Sequence, residues 1–259
     1  MYDVFAVKYA ERDGVRAEHF LGADPHDLAP MPMDYFVWVV RDRGSGAVWV
    51  VDTGFESDDA TTRRRRLLRT AAEGVALVGV DPEAVTDVIL THFHYDHAGG
   101  VEQFPNATFH AQDAEMAFAT GRDMTRRGMS HSFNVRHIQN LVGAVFAQRV
   151  RFHDGDVDLA PGLSLHHIGG HTRGLQVVRV ANQRRTVVLA SDATHYYEHV
   201  EQGRTLPTVV DVAAVLEGYD TLRRLAGVGG IIVPGHDPRV FERFPPAGEG
   251  LEGIAVRLG

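Results

Sequence analysis

The chain has 259 residues, 44% hydrophobic and 23% charged, the composition of a folded globular protein and not of a disordered one. Its 26 basic residues against 34 acidic ones leave a net charge of -8, which excludes a general nucleic-acid binder. With no cysteine, there is no disulfide framework, thiolate metal site or cysteine nucleophile, and no apolar run approaches the roughly 20 residues of a membrane span.

Short apolar, β-branched runs at 3–7, 35–40 and 47–51 are bounded by Gly, Pro or Asp and predict strands. An Arg-rich stretch at 59–70 predicts a helix, with Arg63, Arg64, Arg65, Arg66 and Arg69 on its solvated face. A strand at 85–90 and a strand-like Thr108-Phe109 follow, then helical patterns at 111–119 and 133–146, the latter with Ile138, Leu141, Val142, Val145 and Phe146 at helical spacing. The second half repeats the order: strands at 163–168, 175–180 and 186–189, a helix at 212–225 and a last strand at 231–233. No repeat, low-complexity tract or linker divides the chain, so one domain over residues 1–259 is expected. Two sheets with helices outside them suit this distribution, although periodicity alone does not separate that from other mixed folds.

Histidine is the informative residue, with 15 copies. Directly after the 85–90 strand comes Thr91-His92-Phe93-His94-Tyr95-Asp96-His97-Ala98-Gly99-Gly100, three imidazoles and a carboxylate within six residues. In extended backbone His92 and His94 point to one side, and beyond the strand end Asp96 and His97 can curl back toward them. So dense a set of N and O ligands, without sulfur, suits Zn²⁺, Fe²⁺ or Mn²⁺.

This segment resembles the signature of the metallo-β-lactamase superfamily, whose fold is an αββα sandwich of two mixed sheets with helices on the outer faces. Four more elements agree in order, each at a predicted strand end: Val51-Asp52-Thr53-Gly54, Gly169-Gly170-His171-Thr172-Arg173-Gly174, Ser191-Asp192 and Pro234-Gly235-His236. The resemblance implies two divalent metal ions, with zinc first in expectation. His92, His94 and His171 would hold one, Asp96, His97 and His236 the other, and Asp192 would bridge them. Asp52 is either a turn residue before Gly54 or an acceptor that orients a ligand imidazole from behind.

Such a pair lowers the pKa of a shared water, and ester, lactone, thioester and amide hydrolysis all fit. Within the superfamily, this chain is most similar to the N-acyl-homoserine lactonase branch. The exported β-lactamases place no bridging Asp where Asp192 falls, and the redox-active diiron branch has an acid where His94 stands. Nuclease branches carry basic surfaces, and glyoxalase II-like enzymes append a basic helical tail. The resemblance therefore implies a lactone-opening hydrolase that attacks with a metal-bridging hydroxide; the alternative is a glyoxalase II-like thioesterase or a cyclic-amide hydrolase on the same site. One departure stands out. The lactonase branch places a tyrosine three residues after the bridging Asp, and here that position is His195, followed by Tyr196 and Tyr197. His195 or Tyr196 is accordingly expected to assist the departing oxygen, and Asp96 to shuttle the proton. Met31, Met33, Tyr35, Phe36, Met116, Phe118, Met124, Met129, Phe133 and Phe146 cluster in two regions that could wall an acyl pocket or simply pack the core. The expected partner is a small-molecule substrate, with a homodimer left open and neither nucleic acid nor membrane involved. The start, MYDVFAVKYAERDG, has no secretory pattern, so a cytoplasmic location is expected.

Overall fold

The computed structural model describes residues 1–182 and 185–259. Thirteen strands are present among them: β1 (Tyr2–Arg12), β2 (Met33–Asp42), β3 (Val48–Val51), β4 (Arg66–Leu67), β5 (Asp87–Ile89), β6 (Thr108–Gln112), β7 (Val150–His153), β8 (Val157–Ala160), β9 (Leu163–His167), β10 (Gln176–Ala181), β11 (Thr186–Ser191), β12 (Ile231–Pro234) and β13 (Ala255–Arg257). The first sheet runs β13-β1-β2-β3-β5-β6-β7, with the short β4 also on β1, and the second runs β12-β11-β10-β9-β8. Both are mixed. β1, β2 and β3 are antiparallel neighbours while β3, β5, β6 and β7 are parallel, and in the second sheet only β11 and β12 are parallel.

Side-chain alternation explains why the strands read as near-continuous apolar runs. On β1, Tyr2, Val4 and Ala6 face Leu163, Leu165, Val178, Val180 and Leu189 of the second sheet. The intervening Phe5, Val7 and Tyr9 pack outward, against Ala71, Val75, Ile138 and Leu141 of the helical layer. That layer includes α1 (Ser57–Arg63), α2 (Ala71–Leu77), α3 (Tyr95–Ala98), α4 (Asp113–Ala119), α5 (Arg127–Ser130) and α6 (Val135–Phe146). On the far side of the second sheet, Leu175, Val177, Val188 and Ala190 meet Val215, Tyr219 and Leu222. These last three belong to α8 (Val212–Ala226), which follows α7 (Tyr197–Gln202) and precedes α9 (Arg239–Arg243). Three apolar interfaces between four layers make the αββα sandwich, in which strands buried on both faces carry no polar alternation.

The helix expected over 59–70 is shorter than the sequence suggests. It ends at Arg63 because Arg64 takes a left-handed conformation (φ 56°), after which Arg66 and Leu67 pair with Glu11 and Ala10 as β4. The four consecutive arginines therefore do not share a solvated helix face.

Candidate metal centre

Five segments meet at one edge of the sandwich, and four of them leave the carboxyl ends of strands: Asp52 after β3, Thr91–His97 after β5 and into α3, Ser191-Asp192 at the end of β11, and Gly235-His236 after β12. The fifth, with His171, lies in the connection between β9 and β10. Two non-glycine residues adopt left-handed backbone there, Asp52 at φ 64° and Ser191 at φ 45°. Such strain persists only where the surroundings over-determine it, and it is common at functional sites. Gly235 is required by space: a Cβ there would meet Asp192 Oδ1 at 2.6 Å. Gly99 is held likewise, with Tyr95 O at 2.5 Å and Gly54 O at 2.7 Å from the position of a Cβ.

The seven side chains converge. His92, His94, His171 and Asp192 form one group whose ligand atoms lie within 4.8 Å of one another, and Asp96, His97 and His236 form another. Asp192 stands between them. Its Oδ2 lies 3.2 Å from His171 Nε2 and 3.8 Å from His92 Nε2, while its Oδ1 lies 3.0 Å from His236 Nε2 and 3.4 Å from His97 Nε2. Asp96 Oδ2 is 3.8 Å from both His97 Nε2 and His236 Nε2. One carboxylate thus offers an oxygen to each group.

The imidazoles are fixed from behind. His97 Nδ1 lies 2.8 Å from Asp52 Oδ2, His171 Nδ1 2.6 Å from Thr208 O, His236 Nδ1 2.8 Å from Asp34 O, and His92 Nδ1 3.1 Å from Thr91 Oγ1. With a proton held on Nδ1 by carboxylate or carbonyl, the Nε2 lone pairs of His97, His171 and His236 point into the cluster. The buried atoms His92 Nε2, His97 Nε2 and Asp192 Oδ1 have no hydrogen-bond partner. Orphaned polar atoms are rare in protein interiors, and three on one focus fit ligands awaiting a cation. Burial and neighbouring imidazoles push the pKa values of His92 and His94 well below the ordinary range, which keeps them neutral and able to ligate. Burial would lower His97 as well, but Asp192, Asp52 and Asp96 outweigh it and raise it. Burial would raise Asp192, yet His236, His195 and His97 hold it ionised.

Asp52 acts as the resemblance implies, as the acceptor behind His97, and it also accepts from Thr91 N at 2.8 Å. His195 borders the site, with Nε2 2.9 Å from Asp192 Oδ2. Tyr196 does not enter it. Its hydroxyl donates to Pro32 O at 3.1 Å and lies 3.3 Å from His19 Nε2, behind the cavity wall that His19 forms. Tyr197 packs in the core between the sheets under the Arg243 guanidinium. The phenols at the cavity belong instead to Tyr35 of β2 and Tyr95 of α3, whose hydroxyls are 3.5 Å apart; the Tyr35 ring meets His236 edge-on at 5.0 Å. Burial pushes Tyr35 up to about 12, so it is a neutral donor. Glu115 was not legible as a site residue. Fully buried, it accepts from Phe93 N at 2.9 Å and Gly174 N at 2.8 Å, tying the segments that carry His92, His94 and His171 together.

Two cavities flank the cluster. A polar one of about 160 Å³ is bordered by Arg12, Met33, Tyr35, Arg65, Tyr95 and His195 together with the cluster. A second, of about 210 Å³, begins at His94 and His171 and sets Phe118, Met129, Val209 and Val210 beside His131 and Thr208. Of the residues weighed for an acyl pocket, Met33, Tyr35, Phe118 and Met129 line these cavities, and Phe133 meets His94 edge-on at 4.7 Å. Phe36 packs between the sheets and Phe146 is 86% exposed.

An αββα sandwich with a buried His/Asp centre between two such cavities defines a divalent-metal-binding protein of the metallo-β-lactamase fold. The sequence profile of the metallo-beta-lactamase superfamily matches residues 31–236, and the chain belongs to that superfamily. It is 29% identical over 190 residues to N-acyl homoserine lactonase AttM of Rhizobium johnstonii, a match covering 68% of this chain and 66%, just under two thirds, of that protein. Among solved structures, an N-acyl homoserine lactone hydrolase with N-hexanoyl-L-homoserine at its catalytic metal centre superposes with a TM-score of 0.76 at 18% identity, covering 94% of this chain and 96% of that one. AidC, a dizinc quorum-quenching lactonase, superposes at 0.72 and 18% identity, covering 92% and 88%. Among the described residues, no helix is long and apolar enough to cross a membrane.

Proposed function

We propose that this protein is a dinuclear metal-dependent hydrolase that opens a lactone ring, an N-acyl-homoserine lactone or a related cyclic ester. The observation that carries the reading is Asp192, which offers one oxygen to each of two ligand groups beside a polar cavity. His92, His94 and His171 would hold one cation and Asp96, His97 and His236 the other. Imidazole and carboxylate ligands without thiolate suit zinc, with Fe²⁺ and Mn²⁺ as the alternatives. When bound, the cations make water nucleophilic near neutral pH and polarise the substrate carbonyl.

The chain's own residues do the rest. The cavity that Phe118, Met129, Val209 and Val210 share with His131 and Thr208 takes an apolar part of the substrate. Asp96, which borders the polar cavity and whose backbone carbonyl is held by the Tyr9 hydroxyl at 2.8 Å, takes the proton released by the attacking water on the carboxylate oxygen not turned to His97 and His236, and returns it to the ring oxygen. His195 is kept neutral by burial, which outweighs the opposing pull of Asp192; its single ring N–H faces Asp192 Oδ2 at 2.9 Å and would shift from that carboxylate to the departing oxygen. It would take the place of the tyrosine that the lactonase branch has there, with Tyr35, which like His195 meets the His236 ring, as a second donor. The similarity to lactonases over most of the matched region supports a lactone over other carbonyl substrates.

Acid release by the zinc-reconstituted enzyme from γ-lactones, thioesters and β-lactams tests this reading. Turnover of the γ-lactones, abolished in Asp96→Asn and lowered in His195→Phe without loss of metal, is the expected result. Turnover confined to thioesters or β-lactams would refute it.

A further inference from the structure

The polar cavity sets guanidiniums beside the carboxylates Glu18, Asp96 and Asp192. Three guanidiniums border it: Arg12, Arg63 and Arg65. Two are engaged. Arg63 lies 3.9 Å over the Tyr95 ring and donates to His131 O at 2.9 Å and Phe133 O at 3.3 Å, and Arg12 Nη1 pairs with Glu18 at 2.8 Å. Arg65 differs. It donates through Nε to Tyr95 Oη at 3.1 Å and through Nη1 to Arg63 O at 2.7 Å, but among the described residues it has no carboxylate partner and its Nη2 makes no hydrogen bond. The buried Nε of Arg12 also lacks a partner.

A half-buried guanidinium without a counter-ion is costly, and proteins normally pair it. Here the backbone puts it in place deliberately. The left-handed turn at Arg64 and the pairing of Arg66 with Glu11 hold Arg65 between them, so that it turns to the cavity while its neighbours face elsewhere. From Arg65 a chain of contacts leads to the metal centre: Tyr95 Oη at 3.1 Å, Tyr35 Oη 3.5 Å further, and the Tyr35 ring on His236. An oxyanion beside Arg65 would lie two side chains from the reacting carbonyl, outside the cluster itself.

We infer that the substrate carries an anionic oxygen group, carboxylate or phosphate, on an arm that reaches Arg65, which acts as a specificity residue. The planar fork of arginine suits either anion, and the free donors of Arg65 and Arg12 would complete their hydrogen bonding on it. This inference rests on the hydrolase reading above and adds a substrate class to it.

The test uses the zinc-reconstituted enzyme with three lactones of matched length: N-succinyl-, N-(3-phosphonopropanoyl)- and N-succinamoyl-L-homoserine lactone. A charge-assisted hydrogen bond predicts that at least one anionic probe exceeds the neutral amide in kcat/KM by about tenfold to a hundredfold. Arg65→Gln should lower kcat/KM for the favoured anionic probe, through KM, by more than for the amide, so that the preference collapses, and Arg65→Lys should restore part of it. The favoured anion tells carboxylate from phosphate. Equal rates for all three probes in the unaltered enzyme, or an equal loss on all three in Arg65→Gln, would overturn the inference and leave Arg65 as a support for Tyr95. Should no lactone be opened, the lactone reading fails separately. Calorimetry with ring-opened N-succinyl- and N-succinamoyl-L-homoserine then decides the anion site: tighter binding of the succinyl compound, lost in Arg65→Gln, supports it, and equal affinities refute it.

Discussion

Asp52→Asn isolates the part of the account that concerns the ligands' support. The carboxylate is fully buried, takes the left-handed conformation that asparagine tolerates, and accepts from Thr91 N and His97 Nδ1, each at 2.8 Å. Asparagine keeps the shape and, through its carbonyl, the bond to Thr91. Its amide cannot accept from His97, so the imidazole must move its proton to Nε2, the atom that faces Asp192 Oδ1 at 3.4 Å. A protonated Nε2 has no lone pair for a cation. Loss of such a supporting carboxylate costs about 10- to 100-fold in metal affinity, or about 1.4–2.8 kcal/mol. Competition titration with a chromophoric chelator measures it. The cation held with His97 should weaken by that factor, with a smaller change at the one held by His92, His94 and His171. Unchanged affinity at both, or a loss confined to the second, would refute the assignment of Asp52 as the residue that sets the tautomer of His97.

Gly235→Ala should disturb the centre sterically, since its Cβ would fall 2.6 Å from Asp192 Oδ1; destabilisation of about 1–3 kcal/mol in urea melts, together with weakened metal binding, is expected. Stability should also fall in acid. Burial pushes His19 and His199 down to about 4, below the ordinary 6.5, so the folded state binds fewer protons than the unfolded one. Stability is then full above about pH 6.5 and is lost as pH falls toward 4, by on the order of 3 kcal/mol per group. His199 accepts from Tyr196 N through Nδ1 at 3.1 Å, a bond that protonation breaks. Urea midpoints of the metal-free protein should drop less between pH 6.5 and 4 in His199→Gln than in the unaltered chain, and parallel curves would contradict this.

The His/Asp cluster was legible because its side chains are compressed into short segments at strand ends, and His92-x-His94-x-Asp96-His97 declares itself without tertiary information. The apolar strands were legible for a related reason, since burial on both faces leaves long Val- and Leu-rich runs such as β2 and β11. Half-exposed strands were missed: Arg151 on β7, Asp158 on β8 and Arg257 on β13 interrupt runs too short to show alternation. Arg65 was misassigned because its neighbours are chemically identical, and only the backbone turn at Arg64 sends them in different directions. Tyr196 was favoured by its place after Asp192, yet the phenols at the cavity come from β2 and α3, far away in the chain. Glu115, within Asp-Ala-Glu-Met, looks like any acid on a helix surface, and its two amide partners are 22 and 59 residues distant.

Anomalous diffraction at the zinc edge, from crystals grown with zinc, bears most directly on whether these side chains form one dinuclear centre. Two peaks about 3.5–4 Å apart are predicted, one on each side of Asp192, with His92, His94 and His171 around the first and Asp96, His97 and His236 around the second. A single peak, or two that do not share Asp192, would contradict the account.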